Sequence, residues 1–398
     1  MPIDIAILGG GSAGLAAAIT AARAGATTLL IERYGYLGGM GTASLVHTFC
    51  GLYLLREEPG AVLANPGFPT EIAERMIAAT GIGPQRMGRV DVLPQNPIEF
   101  VRIADELCAA EPNLTLALHS EMTDLTHVPD AWQITLSTRS QQRTLHARKL
   151  IDASGDAVTA SFLSKPTEIT QPAQLQRPAY LFGIHGPNHL DDATRLHTAG
   201  LLVSAVRSGQ LPPAILGLTF RSTGTPHQHF ASLDLTGGET TAHYNPLDPD
   251  CLTALEIQGR QLATQAIRWL AANDPIWHHA TLTQWPIRAG VRESRRWIGQ
   301  SILTGDDLLN SRRFPDEVAL ATWPMEFRET TKGPKLRFPT TPTPCGIPAS
   351  CLIPKGIPNL FTAGRCISAD HDAQASIRVM GTCFATGQAA ANLALASL

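Results

Sequence analysis

The chain begins with IDIAIL (3–8), apolar apart from Asp4 and stopped by a run of glycines. A short apolar run closed by glycine is the pattern of a strand buried on both faces. The small-residue segment SAGLAAAITAARAGA follows at helical spacing, and TTLLIE is a second short apolar run. The pattern therefore predicts strand, helix and strand. Further on, LTLALHSEMTDLTHVPDAWQITLSTRSQQRTLHARKLI (114–151) alternates apolar and polar positions, which predicts one strand followed by a β-meander. The helix before it starts at NPIE, with Asn96 as cap, Pro97 in the first turn and Glu99 reaching back. Between 165 and 340 the period-two stretches PAYLFGIHG, HFASLDL and TLTQWPIRAGVRES predict a mostly antiparallel sheet, with helices over 191–208 and 249–272. Loops at 165–177, 222–228 and 328–348 are rich in Pro, Thr and Gly and are candidates for covering a ligand. NLFTAG (359–364) returns to a short apolar strand, and a small-residue helix begins near Gly381.

Composition adds limits. At 398 residues the chain is too long for one compact core and suits two intertwined domains. With 44% hydrophobic and 16% charged residues there is ample material for a core, and a net charge of -3 gives no electrostatic reason to expect nucleic acid or an anionic membrane. Seven cysteines, an odd number without a CxxC pair, suit a reducing compartment, with Cys345 and Cys351 read as structural. No run approaches the ~18–20 apolar residues of a membrane span. A strand starts almost at Met1 with no basic region before it, so the expectation is a cytoplasmic protein.

The first turn carries the first chemistry. Gly9, Gly11 and Gly14 form G-x-G-x-x-G between the first strand and helix, where a helix start offers free N–H groups and positive dipole to a pyrophosphate. Glu32 stands 18 residues beyond Gly14 at the end of the second strand, placed for ribose hydroxyls. An acid there disfavours a 2′-phosphate and so NADP. The choice between NAD and FAD turns on the next segments. RYGYLGGMGTASLVH (33–47) is a glycine-rich loop with Gly38, Gly39, Gly41 and Thr42, suited to running backbone along an extended ligand, and DASGDA (152–157) is a second strand-end turn. The helix near Gly381 would aim its N–H groups at an anion such as a reduced flavin. These features favour FAD.

LGGMGTASLVH, LIDASGDA, GVRESRRWIGQSILTGDDLLNSRRF (290–314) and CLIPKGIPNLFTAGRCISADHDAQASIRVMGTCFATGQAAANLA occur in order along the chain. In these segments the sequence resembles the FAD-dependent oxidoreductase family of glutathione-reductase-type nucleotide-binding fold. The resemblance implies an α/β protein, a Rossmann-like FAD-binding domain with an inserted, mostly antiparallel α+β substrate domain. Residues 1–164 would be the first part of the FAD-binding domain, 165–340 the substrate domain, and 341–398 the return segment with the flavin-facing helix. It further implies FAD contacts from Gly9, Gly11, Ser12, Ala13, Gly14, Glu32 and Arg33, from Gly39, Met40, Gly41 and Thr42, and from Met122, Ala153 and Gly155. In the return segment they come from Gly364, Arg365, Arg378, Val379, Gly381 and Thr382. Two departures stand out: Ala349 and Ser350 replace an aromatic and an arginine, which would enlarge the pocket or remove an anion clamp, and Ala391 replaces a usual glycine.

Absent motifs narrow the chemistry. There is no second G-x-G-x-x-G, no C-x4-C redox pair near the N-terminus, no W-x-W-x-I-P, no metal-ligand spacing, and Gly-Arg rather than Gly-Asp ends the closing strand. The catalytic candidates are His371, for proton transfer or for a hydrogen bond to the cofactor loop, and Arg378, for the cofactor or a substrate carboxylate. Arg292 lies in a charged cluster with Glu293, Arg295 and Arg296. Read as a strand, Arg292 and Ser294 share one face and Glu293 and Arg295 the other, giving an ion-pair brace or a substrate-anion contact. His47 is placed to approach the ring. Trp323 lines the pocket or packs in the core, and His278–His279 are read as surface. The expected function is hydride transfer from a C–H or C–N bond of a small organic substrate to FAD, held non-covalently rather than covalently. Electrons then go to oxygen, a quinone or a protein. Reduction of an activated double bond, a flavin-binding subunit or scaffold of a larger complex, and a homo-oligomer stay open.

Overall fold

In the computed structural model, which describes residues 3–58, 60–235, 244–329 and 333–398, β1 (Ile3–Leu8), α1 (Ser12–Arg23) and β2 (Thr28–Ile31) form as the pattern predicts. β1 pairs in parallel with β2, Ile7 opposite Leu30, and on its other side with Gln141–Asp152, Leu8 opposite Asp152. Two paired neighbours and helices on the faces explain why Ile5 and Ile7 are fully buried and the run carries no polar alternation. Leu114–Ala117 extends the parallel sheet beyond β2. The meander follows as Glu121–Val128 and Ala131–Thr138, antiparallel, leading into Gln141–Asp152. That long strand belongs to both parts: Ala147 stands opposite Ile3 on one side and Trp132 on the other. Its last residues pair in parallel with Leu360–Thr362, Leu360 opposite Leu150. The chain is thus a mixed α/β fold with a parallel, Rossmann-like core.

The helix Pro97–Ala109 starts where the cap signal put it, with Asn96 Oδ1 accepting from the amides of Ile98 and Glu99. Glu99 does not reach back. Its carboxylate takes Arg102 at 2.8 Å, so an i,i+3 pair replaces the expected capping box.

A second sheet has the order Thr219–Ser222, Gln228–Asp234, Ala179–His185, Thr281–Gln284, antiparallel throughout. Alternation along Ala179–His185 sorts its two faces. Tyr180, Phe182 and Ile184 enter one core with the helices Asp192–Arg207 and Pro249–Asn273, where Gly259 makes room for the Tyr180 ring. Ala179 and Leu181, with Phe230, meet Leu45 at the end of the glycine-rich loop. The strand expected through 281–294 stops at Gln284. Pro286 lacks the N–H a ladder needs, and the segment beyond it is irregular, with Gly290 bridged to Ala179.

The closing helix Met380–Ala396 packs on α1 through backbone. A Cβ on Gly387 would sit 2.1 Å from the Ala13 carbonyl oxygen, and one on Gly14 would sit 1.7 Å from that of Gly9. Ala391, where the family usually has glycine, is fully buried in this packing. Gly387→Ala should therefore cost about 1–3 kcal/mol by overpacking, read as a lower urea midpoint. Gly200→Ala, in a helix where a Cβ meets nothing within 4 Å, should gain about 0.5–1 kcal/mol. Equal midpoints for the two variants would contradict the close helix approach.

Candidate functional site

A groove with about 1040 Å³ of empty space, counted out to bulk water, runs along the carboxyl ends of the parallel strands. Gly9, Gly11, Ser12 and Ala13 form its floor where β1 turns into α1. Gly9 has φ +99° and the Ala153 carbonyl where a Cβ would be, so the turn itself requires glycine. Gly11 is different. Its φ is an ordinary -72°, and a Cβ there would meet only Gly39 Cα at 3.8 Å. Packing does not demand glycine at this position. A ligand approaching the start of α1 does, which is the fit expected of a pyrophosphate. Gly39, at φ +54°, supplies the facing piece of bare backbone.

At one end of the groove Glu32, 6% exposed, accepts from the Gly10 amide at 2.7 Å and the Tyr34 amide at 2.9 Å. Each carboxylate oxygen keeps a lone pair for a hydroxyl. Gly10, which the sequence did not single out, lets this bond form, since a Cβ there would lie 2.4 Å from the Leu37 side chain. Arg33 and Met122 line the same end, beside Tyr34, Ser120 and Glu121. Midway, Ala153 and Gly155 face Gly364 and Arg365. Arg365 donates to the Gly155 carbonyl and to Asp156 Oδ1, both at 2.6 Å. Burial works to raise the Asp156 pKa, but Arg365, Ser294 and Arg288 together outweigh it and the net shift is downward. Beneath this turn Asp152 is fully buried and accepts from the amides and hydroxyls of Ser154 and Thr159 and from Trp297 Nε1. These bonds are the physical content of the DASGDA motif.

At the other end stand Arg378, Met380 and Cys383, while Met40 and Arg288 line the stretch between, Arg288 over the Tyr34 ring at 5.7 Å. The Nε atoms of Arg288 and Arg378 are buried with no hydrogen-bond partner among the described residues. Arg288 was missed, although it lies in the quoted run four residues before Arg292. Arg378 donates to the Glu326 carbonyl at 3.2 Å. Behind it, Arg328 pairs with Glu326 at 2.7 Å and Asp234 at 2.9 Å, and Arg292 pairs with Asp234 at 2.9 Å. Arg292, Arg328 and Arg378 thus share two carboxylates, an excess of one positive charge. Burial opposes the Glu326 charge, but Arg328, Arg378 and Arg292 together hold its pKa at about 2. Burial brings Arg378 down to about 10, still charged at neutral pH. Trp323 braces the cluster, donating from Nε1 to Glu326 at 2.9 Å.

Several sequence candidates lie elsewhere. Arg292 is a layer behind the groove lining. It and Ser294 do not share a partner face, because 291–295 is not a strand: Ser294 donates to Asp156 at 2.6 Å and Arg295 to the Asp156 carbonyl at 3.0 Å. His371 is not on a loop beside the groove. It is the first residue of a short helix, His371–Ile377, and its Nδ1 lies 3.0 and 3.1 Å from the Glu293 oxygens. Glu293 also accepts from Thr170, the Gln176 amide and Arg296, so His371 completes a buried brace. Burial pulls the His371 pKa down, Glu293 with help from Asp372 outweighs it, and the net shift is upward. His47 lies outside the groove, stacked on Phe230 at 4.9 Å, and burial lowers it to about 4, leaving it neutral at pH 7. Thr42 donates its hydroxyl to the Leu37 carbonyl at 2.8 Å, and Gly41 backs onto Phe100. Val379, Gly381 and Thr382 start the closing helix behind the Met380 wall. The Gly381 amide is already given to the Cys50 carbonyl at 2.9 Å, so it does not aim at an anion.

Ala349 and Ser350 line neither the groove nor the cavity beside His47. Ser350 instead hydrogen-bonds Ser301 at 2.7 Å. All seven cysteines are free, and of these Cys383 lines the groove. His278 and His279 are exposed. Of the predicted loops, 165–177 carries Thr170 and Gln176 to Glu293, 222–228 borders the cavity beside His47, and 328–348 falls partly outside the described residues. Among the described residues no cluster of three or more His, Cys, Asp or Glu could hold a metal, and no helix is long and apolar enough to cross a membrane.

The raised pKa of His371 fixes a sign. Its ion pair stabilises fully below the unfolded value of ~6.5 and fades as pH rises through the folded one. Glu293, whose pKa is lowered against the pull of burial, gives its share above its ordinary value and loses it as pH falls through the folded one. His371→Gln should cost about 1.5–3 kcal/mol near pH 6, and less near pH 9, by urea midpoints. A penalty independent of pH would contradict a charged His371–Glu293 pair.

No curated protein matches the chain significantly. Among solved structures, a geranylgeranyl bacteriochlorophyll reductase-like protein from Thermoplasma acidophilum is 12% identical, over 100% of this chain and 78% of its own, with TM-score 0.50. The flavin-dependent monooxygenase PieE, solved with FAD and substrate, is 17% identical over 76% of this chain and 51% of its own, with TM-score 0.40. L-proline dehydrogenase from P. horikoshii is 17% identical over 39% of this chain and 23% of its own, with TM-score 0.24. The chain spans less than two thirds of the length of the last two, and identities this low speak of fold alone. A family model described as FAD dependent oxidoreductase matches residues 4–398, so the chain belongs to the FAD-dependent oxidoreductases, enzymes whose cofactor is FAD.

Proposed function

We propose that the groove holds FAD non-covalently and that the enzyme transfers a hydride from a C–H or C–N bond of a small organic substrate. The carrying observation is one continuous groove from Glu32, past the bare backbone of Gly11 and Gly39, to Arg378. In this reading the molecule is a glutathione-reductase-type FAD-binding domain, formed by 1–164 and 341–398, with 165–340 inserted as the substrate domain. The antiparallel sheet that meets Leu45 supports that division. Glu32 takes ribose hydroxyls, the start of α1 takes the pyrophosphate with Arg288 and Arg365 near, and Arg378 stands at the flavin end.

FAD supplies the two-electron chemistry, accepting the hydride. The protein's share is orientation and field. The excess positive charge of Arg292, Arg328 and Arg378 over Asp234 and Glu326 favours negative charge arriving beside them. His371 is not carried forward as proton acceptor, since its ring faces Glu293. A water takes that part, since His47 lies outside the groove, and electrons leave to oxygen, a quinone or a protein.

The purified protein should show a flavin spectrum, and denaturation should leave the colour in the supernatant. Colour in the pellet would point to a covalent link, with Cys383 the thiol on the groove. Gly11→Ala should keep the urea midpoint within about 1 kcal/mol and weaken FAD binding tenfold or more, about 1.4 kcal/mol. A colourless protein that refuses added FAD would end this reading. Absence of bleaching by any small molecule, together with a tightly co-purified protein, would favour a flavin-binding subunit.

A further inference from the structure

We propose that Arg288 is a cofactor ligand contributed by the 165–340 insertion, that it takes the diphosphate of FAD, and that bound FAD thereby ties the insertion to the nucleotide fold. The assignment rests on the groove being the FAD site and deepens that reading. Among the described residues, every other part of the groove lining comes from 8–40, 120–158 or 364–383. Arg288 arrives from the irregular segment beyond Pro286. That segment is fixed by its backbone. The Ile287 and Arg288 amides donate to the Ala43 carbonyl at 2.8 and 3.3 Å, the Ala289 amide donates to Glu256, and Gly290 and Ala179 exchange hydrogen bonds at 2.7 and 3.0 Å. None of these bonds uses the Arg288 guanidinium.

The surroundings of that guanidinium point to a diphosphate. Its Nε is buried without a partner, and Arg288 forms no ion pair among the described residues. The Tyr34 ring is 5.7 Å away, near the ~6 Å limit of cation–π attraction, and Arg33 stands over the same ring at 5.2 Å. Asp156 is committed to Arg365 and Ser294, both at 2.6 Å. Arg288 Nη2 and Arg365 Nη1 lie 3.9 and 3.8 Å from the same Met40 sulfur. Met40 follows Gly39, whose backbone faces Gly11 at the start of α1. Two guanidinium groups therefore converge beside the bare backbone of Gly11 and Gly39. Arg365 already donates to Asp156 and to the carbonyls of Gly155 and Val291, so the free donors belong to Arg288. Like charges held this close, one without a counter-ion, cost free energy that an arriving dianion offsets. The diphosphate is the dianionic part of FAD, and the guanidinium fork matches its oxygens.

The test is titration of the full chain, stripped of flavin, with FAD, ADP and adenosine, beside hydrogen exchange of the holoenzyme. Arg288→Gln should weaken FAD and ADP about tenfold or more and leave adenosine within about twofold. Arg288→Lys should regain part of the loss, as a point charge without the fork. The urea midpoint of the flavin-free chain should stay level or rise in Arg288→Gln, whereas loss of a structural brace would lower it. FAD should slow exchange at amides 287 and 288 in the wild type and not in Arg288→Gln. Unchanged FAD binding in Arg288→Gln, or an equal loss for ADP and adenosine, would overturn the assignment. Exchange at 287 and 288 that is indifferent to FAD would overturn the tie to the insertion. A chain that refuses FAD but binds ADP, more weakly in Arg288→Gln, would overturn the FAD reading alone.

Discussion

The fold depends on a contact without side chains. Helix Met380–Ala396 lies so close to α1 that Gly387 abuts the Ala13 carbonyl, while Gly14 abuts that of Gly9. The first of these contacts joins elements from opposite ends of the sequence, and both set the height of the groove floor. Gly364, Arg365 and Arg378 reach the groove only because the return strand and closing helix seat at that distance. A single methyl at Gly387 would have to displace backbone, not a rotamer, so the geometry has little slack.

Buried charge is used in two ways. Glu293 and Asp152 are enclosed and satisfied: every neighbour donates to them, and the result is a brace between distant segments. Such networks add little net stability over apolar packing, but they hold one arrangement against alternatives. Along the groove the pairing is incomplete. Arg288 and Arg378 keep Nε atoms without a partner among the described residues, and positive charge exceeds negative behind Arg378. Incomplete pairing of a buried cation costs free energy that folding alone gives no reason to spend.

What the sequence made legible was local. The run 3–32 declared strand, helix and strand because its signals sit within a few residues of one another, and Asn96 declared its helix by one side chain and two amides. Glu32, Gly11 and Gly39 could be placed on one groove because they sit at strand ends and turns that the local sequence defines. His371 could not. Its fate is set by Glu293, 78 residues away, which is in turn set by Thr170, a further 123 residues away. Arg288 was missed for the same reason: an arginine in a strand-like run shows its surroundings only after the chain has folded. Thr42 sat in the right loop, but its hydroxyl closes the loop itself.

The strand Gln141–Asp152 waits for a neighbour, Leu360–Thr362, that is made about 200 residues later. At synthesis rates of about 5–20 residues per second, its apolar edge and the exposed face of α1 stay uncovered for on the order of ten to forty seconds. During that time the emerging chain offers a parallel-sheet edge that nothing in the first half can cap. Completion is a long-range event of high contact order, slow compared with helix or hairpin formation. The same return path that carries Arg365 and Arg378 over the groove therefore leaves the nascent chain with an open apolar edge until synthesis is almost complete.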